Sequence, residues 1–364
     1  MSRVDPARLA PLLLPWFDAH QRALPWRGTR DPYRVWVSEV MLQQTRVETV
    51  LKHYERFLAR FPRLEDLARA AEDEVLAAWS GLGFYRRARN LHRAAREVVR
   101  AHGGRLPRDP AALRRLPGFG RYTVGAVLSI AHDMRLPVLD GNVIRVVSRL
   151  LRSDADPRRA AGSARLWAFA EEALPAERCG DFNQALMELG ALVCRPQAPG
   201  CGDCPLGAVC AAKAAGDPED YPRLGSGPSV PEEERVALYL ERSDGRFLIE
   251  RRPPTGLLAS LWELPSAPSE GSPVAAVRAL ARARGARGRP APAGVASHRF
   301  SHRLWTVRVY VLATRARAAV ARGTWVREEE LSAYGVPTAT RKVLAVARRH
   351  LDLRARAPRR RAAE

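Results

Sequence analysis

Four cysteines, Cys194, Cys201, Cys204 and Cys210, stand in the spacing C-x6-C-x2-C-x5-C. Four thiolates held in one short segment can surround a single soft metal centre, and that dictates how the chain between them must loop. A disulfide framework would instead scatter its cysteines through a small secreted domain. Spacing alone leaves a structural zinc site and an iron–sulfur cluster both open, because a four-thiolate cage serves either. The fifth cysteine, Cys179, has no neighbour in sequence, so a reducing cytoplasm is the expected setting.

At 364 residues and 46% hydrophobic content, the chain is long enough for two domains with separate cores. Its formal net charge of +21 makes an anionic polymer the expected partner, since such a field attracts phosphates and speeds encounter. The charge is carried by arginine; Lys52, Lys213 and Lys342 are the only lysines. No apolar run reaches membrane-spanning length and no cleavable apolar leader is visible, so no membrane partner is expected.

Residues 1–215 read as all-α. Asp31-Pro32 and Asp109-Pro110 each place an N-cap acid before a proline suited to the first helical position. Apolar spacing predicts helices over 6–20, 32–43, 46–60, 72–80, 85–102, 110–115, 121–132, 142–151, 162–173 and 181–194. Gly, Pro, Ser and acids over 216–232 predict an interdomain linker. The domain expected over 233–350 opens with a strand, an Asp244-Gly245 turn and a second strand. With another β-type run at Leu304–Leu312 and helical patterns near 273–284 and 338–350, it reads as α+β. The Arg-rich residues 351–364 read as a basic disordered tail.

Leu116-Pro117-Gly118-Phe119-Gly120-Arg121-Tyr122-Thr123 lies between two predicted helices. Its two glycines permit a tight hairpin whose following helix aims its first amides at a phosphate. Glu39 is embedded in the apolar helix VWVSEVML, where burial would raise its pKa and keep a proton available. Asp140 stands where a turn enters a helix, the place of an N-cap. Together the two acids could serve a glycosidic bond, one protonating the leaving group and one stabilising an oxocarbenium-like centre.

LPWR at 24–27, DPYRVWVSEVMLQQTRV at 31–47, GLGFYRRARNLH at 81–92, LPGFGRYTVGAV, VLDGNVIRV, FNQALMELGALVC and the cysteine cluster together resemble the MutY family of adenine DNA glycosylases, within the endonuclease III-like helix-hairpin-helix superfamily. The resemblance covers nearly all of residues 20–210. It implies a 4Fe-4S cluster on Cys194, Cys201, Cys204 and Cys210, and a monomer that acts on double-stranded DNA containing adenine opposite 8-oxoguanine or guanine in the cytoplasm, at the nucleoid. Glu39 matches the family's general acid and Asp140 its carboxylate opposite the sugar, with Tyr122 and Asn142 in support. Arg22, Trp26, Arg27, Leu42, Val47, Gln184 and Met187 match its adenine pocket. Gln44 matches a residue entering the base stack, and Gly118, Phe119 and Gly120 match the DNA-binding hairpin. Phe84 stands where many relatives carry Tyr; its ring face can still wedge between bases.

The second domain resembles the family's Nudix-like module in GLLASLWELP at 256–265, but Val274–Gly285 lacks the acids that would hold magnesium, which argues against pyrophosphatase chemistry. Phe300, Ser301 and His302 match its 8-oxoguanine-reading loop. Two competing functions fit these residues less well. An endonuclease III-like lyase needs an amine nucleophile in the hairpin, where this chain has Tyr122. A catalytically silent DNA-binding or redox-sensing protein would not need both Glu39 and Asp140.

Overall fold

The computed structural model describes residues 4–225, 229–269, 271–315 and 322–356. The chain divides into two compact units, Met1–Arg69 with Arg89–Gly227, and Ala70–Ala88 with Pro228–Glu364.

The first unit is helical: α1 (Leu9–His20), α2 (Pro32–Leu42), α3 (Val47–Arg60), α4 (Leu64–Arg69), α6 (Arg86–His102) from Arg89 onward, α7 (Pro110–Arg115), α8 (Arg121–His132), α9 (Gly141–Leu150), α10 (Ala160–Glu172), α11 (Cys179–Leu192) and α12 (Ala211–Ala215). The Asp-Pro signals act as expected. Asp31 accepts from the amides of Tyr33 and Arg34, and Asp109 from those of Ala111 and Ala112, each with proline in the first turn. α8 runs through the middle, with every residue from Thr123 to Ala131 buried. It packs on α2 and α11, and the amide of Asn183 on α11 donates to Ser129 of α8 at 2.9 Å. α11 also lies hard against the start of α9: a Cβ on Gly190 would sit 2.6 Å from the Cβ of Asn142, so only glycine permits this approach.

The second unit contains α5 (Glu72–Ala78), β1 (Glu232–Arg242), β2 (Phe247–Arg251), β3 (Trp262–Glu263), β4 (Ser266–Pro268), α13 (Pro273–Arg282), β5 (Ala291–Arg299), β6 (Leu304–Thr314), β7 (Gly323–Val326) and α14 (Thr338–Arg356). Its mixed sheet has the order β3-β2-β1-β6-β5, with β4 added on β1 and β7 on β2. The β1–β6 pair is parallel and the others antiparallel. β1 reads as an unbroken apolar run because both its faces are covered. Val236, Leu238 and Leu240 join Val277 and Leu280 of α13, while Ala237 and Tyr239 join Val343, Leu344 and Ala347 of α14.

The structure departs from the sequence expectations in several places. α4 was not expected, its six residues being too short for a periodic signal. Residues 70–88 belong to the second unit rather than to a contiguous helical domain. There Leu76 and Trp79 are buried, Asp73 pairs with Arg251 at 2.9 Å, and the hydroxyls of Ser80 and Tyr85 donate to the Val336 carbonyl at 3.0 and 3.2 Å. The expected linker is also partly folded onto the first unit. Asp217 accepts from Arg152 at 2.5 Å, and the Tyr221 carbonyl accepts from the buried Arg149 at 3.1 Å. Finally α14 carries the chain in helix to Arg356, beyond the start of the expected tail; residues 357–364 lie outside the described ones.

Tyr221 is 2% exposed whereas Leu224, three residues on, is 57% exposed. Tyr221→Ala in the full chain should therefore cost about 3 kcal/mol, as deletion of a buried aromatic does, and Leu224→Ala about 0.5 kcal/mol or less. Urea unfolding of the two variants checks this, and equal stabilities would return the segment to a plain linker.

Candidate active site

One open cleft in the first unit gathers side chains from six stretches of chain. The segment before α2 contributes Arg22, Leu24, Trp26 and Arg27. α2 and the turn after it contribute Glu39, Leu42, Gln43, Gln44 and Thr45, and α3 begins with Val47. Gly118 and Gly120 of the hairpin, Tyr122 and Thr123 at the start of α8, and Asp140, Gly141 and Asn142 at the start of α9 complete one wall. Gln184, Met187, Glu188 and Ala191 of α11 form another. The α11 group recurs at three- and four-residue spacing, which sets it on one helical face.

Glu39 is buried, and its carboxylate accepts a hydrogen bond from the Tyr122 hydroxyl, which also approaches the Met187 sulfur at 3.5 Å. Burial drives its pKa up to about 7; the Tyr122 bond opposes this, the charge of Asp140 adds to it, and Arg27 opposes it weakly. Asp140 caps α9, accepting from the Val143 amide at 2.7 Å and from the Asn142 side chain at 3.2 Å. Burial raises Asp140 as well, but the amides of Val143 and Asn142, the charge of Arg145 and the Asn142 side chain all favour its ionised form. The two acids thus feel each other across one cleft with different surroundings. Glu39 is the one disposed to keep a proton, Asp140 the one supplied with donors for a negative charge.

Sequence reasoning missed Glu188. Its carboxylate is buried and accepts from the Arg22 backbone amide at 2.9 Å, from Arg22 Nε and Nη2 at 2.9 and 2.8 Å, and from Arg27 Nη2 at 2.8 Å. Burial works against its charge, but the bonds and charges of Arg22 and Arg27 prevail and hold it below the usual carboxylate range. The signal was present: Glu188 stands among apolar residues in FNQALMELG just as Glu39 does in VWVSEVML. The buried Nη1 of Arg27 has no hydrogen-bond partner within the protein. Gln43, whose side-chain amide donates to the Thr123 hydroxyl at 3.2 Å, was missed too.

The hairpin has the expected form, with Gly118 at φ +85 and Gly120 as an N-cap without a side-chain cap bond, so that the first amides of α8 are left to an outside acceptor. Phe119, within that hairpin, is 4% exposed and stacks on Trp36 with ring centroids 4.9 Å apart, so its ring anchors the turn from below. Phe84 belongs to the second unit, is 46% exposed and has a left-handed backbone at φ +46. Phe300, Ser301 and His302 occupy the turn between β5 and β6. Phe300 packs edge-on against His298 and Trp305, leaving Ser301 and His302 exposed at the tip.

Among the described residues no three His, Cys, Asp or Glu side chains form a closed ligand group, and all five cysteines are free thiols. Cys194, Cys201, Cys204 and Cys210 are nevertheless mutual neighbours. Burial, followed by the charges of Cys194, Cys210 and Cys201, pushes the Cys204 thiol up to about 11 against an opposing backbone bond. Four soft sulfurs without an acid or imidazole among them suit a soft metal centre.

Residues 37–172 match the HhH-GPD superfamily of base excision DNA repair proteins, and residues 236–346 match the NUDIX domain. Human adenine DNA glycosylase is 37% identical over 397 residues, covering 92% of this chain and 73% of that protein. The chain belongs to the adenine DNA glycosylase family. The mouse relative is 39% identical over 392 residues, covering 91% of this chain and 76% of its own length. A solved thermostable thymine-DNA glycosylase aligns with a TM-score of 0.54 at 31% identity, covering 58% of this chain and 97% of its own. The protein is therefore a DNA glycosylase of base excision repair, with a helix-hairpin-helix domain and a Nudix-like carboxy-terminal domain. α13 of that second domain contains no acidic residue.

Because Glu39 is raised, the folded glycosylase binds this proton more tightly than the unfolded chain. The stability it forfeits by ionising is intact at acid pH and lost as pH climbs from about 4.5 to about 7. Glu39→Gln, which keeps an acceptor for Tyr122, should therefore be more stable than the parent by about 3 kcal/mol at pH 8 and equal to it at pH 4. Chemical denaturation at both pH values reads this; a variant weaker than the parent at pH 8 would refute it.

Proposed function

We propose that this glycosylase removes adenine paired with 8-oxoguanine or guanine, without cutting the strand. The carrying observation is that two acids with opposed surroundings, Glu39 and Asp140, share one cleft of the helical unit. The target adenine must leave the base stack to reach a carboxyl as buried as Glu39. Glu39 donates its proton to the adenine at N7. The bond between N9 and the sugar C1′ then breaks, and its electron pair leaves with the now neutral base. Asp140, ionised and steadied by the Val143 amide and Asn142, stabilises the positive charge that develops on the sugar. A water oxygen then bonds to C1′ and gives up its proton to a carboxylate of the cleft. Tyr122 orients the Glu39 carboxyl. Arg22, Trp26, Arg27, Leu42, Val47, Gln184 and Met187 enclose the adenine, and the unpartnered Nη1 of Arg27 is a donor available to it.

Hydrolysis without a lyase step is supported by the residues that line the cleft, none of which is lysine; Lys342, for one, is engaged with the Ser297 carbonyl at 3.0 Å. Gln44, at φ +56 in the turn after α2, and the exposed Phe84 are the side chains suited to fill the stack. Preference for 8-oxoguanine is assigned to Phe300, Ser301 and His302. A packed Phe300 holds the turn, and the exposed Ser301 hydroxyl and His302 imidazole, which meet each other at 3.3 Å, exchange that contact for a base edge.

The decisive experiment is single-turnover excision on duplexes with adenine opposite 8-oxoguanine, followed by alkali to reveal abasic sites. Glu39→Gln should bind this DNA and lose at least about 10²-fold in rate, the contribution of a general acid. The parent's rate should fall as pH rises through about 7, where Glu39 gives up its proton. Near-parental rates in Glu39→Gln would end this assignment. Ser301→Ala with His302→Ala should leave excision intact and narrow the gap between 8-oxoguanine and guanine duplexes; an undiminished gap would place the discrimination elsewhere.

A 4Fe-4S cluster on Cys194, Cys201, Cys204 and Cys210 would close the loop after α11, giving it structural support rather than a part in bond breaking. The anaerobically purified protein should be yellow-brown with iron and sulfide in equal amounts. Zinc without iron would favour the other occupant that the spacing permits.

A further inference from the structure

Several arginines of the helical unit are spoken for by acids, among them Arg63 by Asp66, Arg152 by Asp217, Arg158 by Asp156 and Arg178 by Asp18. Arg93, Arg96 and Arg100 of α6 are not. All three are exposed, and among the described residues none has an ion pair. At about 100° per residue they fall within an arc of about 60° on one face of α6, opposite the buried Leu91, Ala95 and Val98. Glu97 is the one acid beside them, half-buried and unpaired with either neighbour among the described residues, so the face keeps a net positive charge.

This face adjoins the hairpin. A Cβ on Gly118 would lie 2.9 Å from the Cβ of Asn90, so the turn rests on α6 at Asn90, one helical turn before Arg93. From Arg93 to Arg100 the helix advances about 10 Å, or about three phosphate steps of one DNA strand. The uncapped amides of α8 and the guanidinium row therefore form neighbouring anion sites on one continuous surface.

We propose that Arg93, Arg96 and Arg100 form a second phosphate-binding surface, beside the hairpin, for the backbone of duplex DNA outside the mispair. The proposal rests on the DNA glycosylase reading for its polyanion. It lengthens the footprint and adds affinity that is independent of sequence and of lesion.

The test is a triple variant, Arg93→Gln with Arg96→Gln and Arg100→Gln, in the full chain, beside a triple Lys variant that keeps the charge. Gln suits exposed helix positions, and matching thermal melts establish that the fold is unchanged. Binding to an undamaged duplex of about 30 base pairs is measured from about 50 to 200 mM salt, the range over which phosphate contacts are read. The Gln variant should flatten the plot of log affinity against log salt by about two to three units, at about 0.9 per lost phosphate contact. The Lys variant should keep the parental slope. Single-turnover excision at saturating enzyme, run separately on the mispaired duplex, should be unchanged in both. An unaltered slope in the Gln variant would overturn the proposal. A failure of adenine release in the parent would count against the proposed function instead and leave the salt slopes readable.

Discussion

The buried carboxylate of Glu188 ties the cleft together. It draws two guanidiniums and a backbone amide from residues 22–27 onto α11, and without it two cations would be left in a poorly solvated pocket. Removing one partner from such a group typically costs about 3–5 kcal/mol, because the remaining charge is stranded rather than hydrated. The segment it pins carries Trp26 as well, which meets Tyr54 edge-on at 5.3 Å. One wall of the pocket is thus held by electrostatics and the other by the close approach of α11 to α9 at Gly190.

Within that frame the same desolvation has two outcomes. Glu39 is taken from water with the Tyr122 hydroxyl as a hydrogen-bond partner, too little to answer a charge, so its protonated form gains. Asp140 is taken from water at the mouth of a helix, where amide donors and the positive end of the helix dipole answer its charge. The N-cap role and the proposed chemical role of Asp140 are not rivals. The cap that starts α9 is also what fixes a carboxylate at the cleft. The tension at Glu39 accompanies its proposed role: a group buried so as to hold a proton weakens the fold at the pH where it ionises.

The helical half of the fold was legible because its signals are local. Asp-Pro starts, three-to-four apolar spacing and the Gly-x-Gly turn each report on one helix or one turn, and these elements form where those signals stand. β5 was not legible: Pro292, a bulge before Gly294 and small residues hide an edge strand whose pairing is decided by β6. The fate of residues 70–88 and of Asp217–Tyr221 was hidden for the same reason, since their partners, Val336 and Arg149, lie far off in sequence. The seat of Phe119 was hidden likewise, since Trp36, on which it stacks, lies far off in sequence.

Residue type and spacing by themselves pointed to the cysteine cluster, the hairpin and the two acids, because each is a chemical requirement written into a short stretch of chain; the pocket residues around them were visible only through the family resemblance. Tertiary structure alone decided that Glu39 meets the Tyr122 hydroxyl, that Glu188 neutralises Arg22 and Arg27, and which arginines of a basic chain are left unpaired. Those outcomes depend on burial and on partners brought together from distant segments, and a linear sequence carries neither the local dielectric nor the distances that set them.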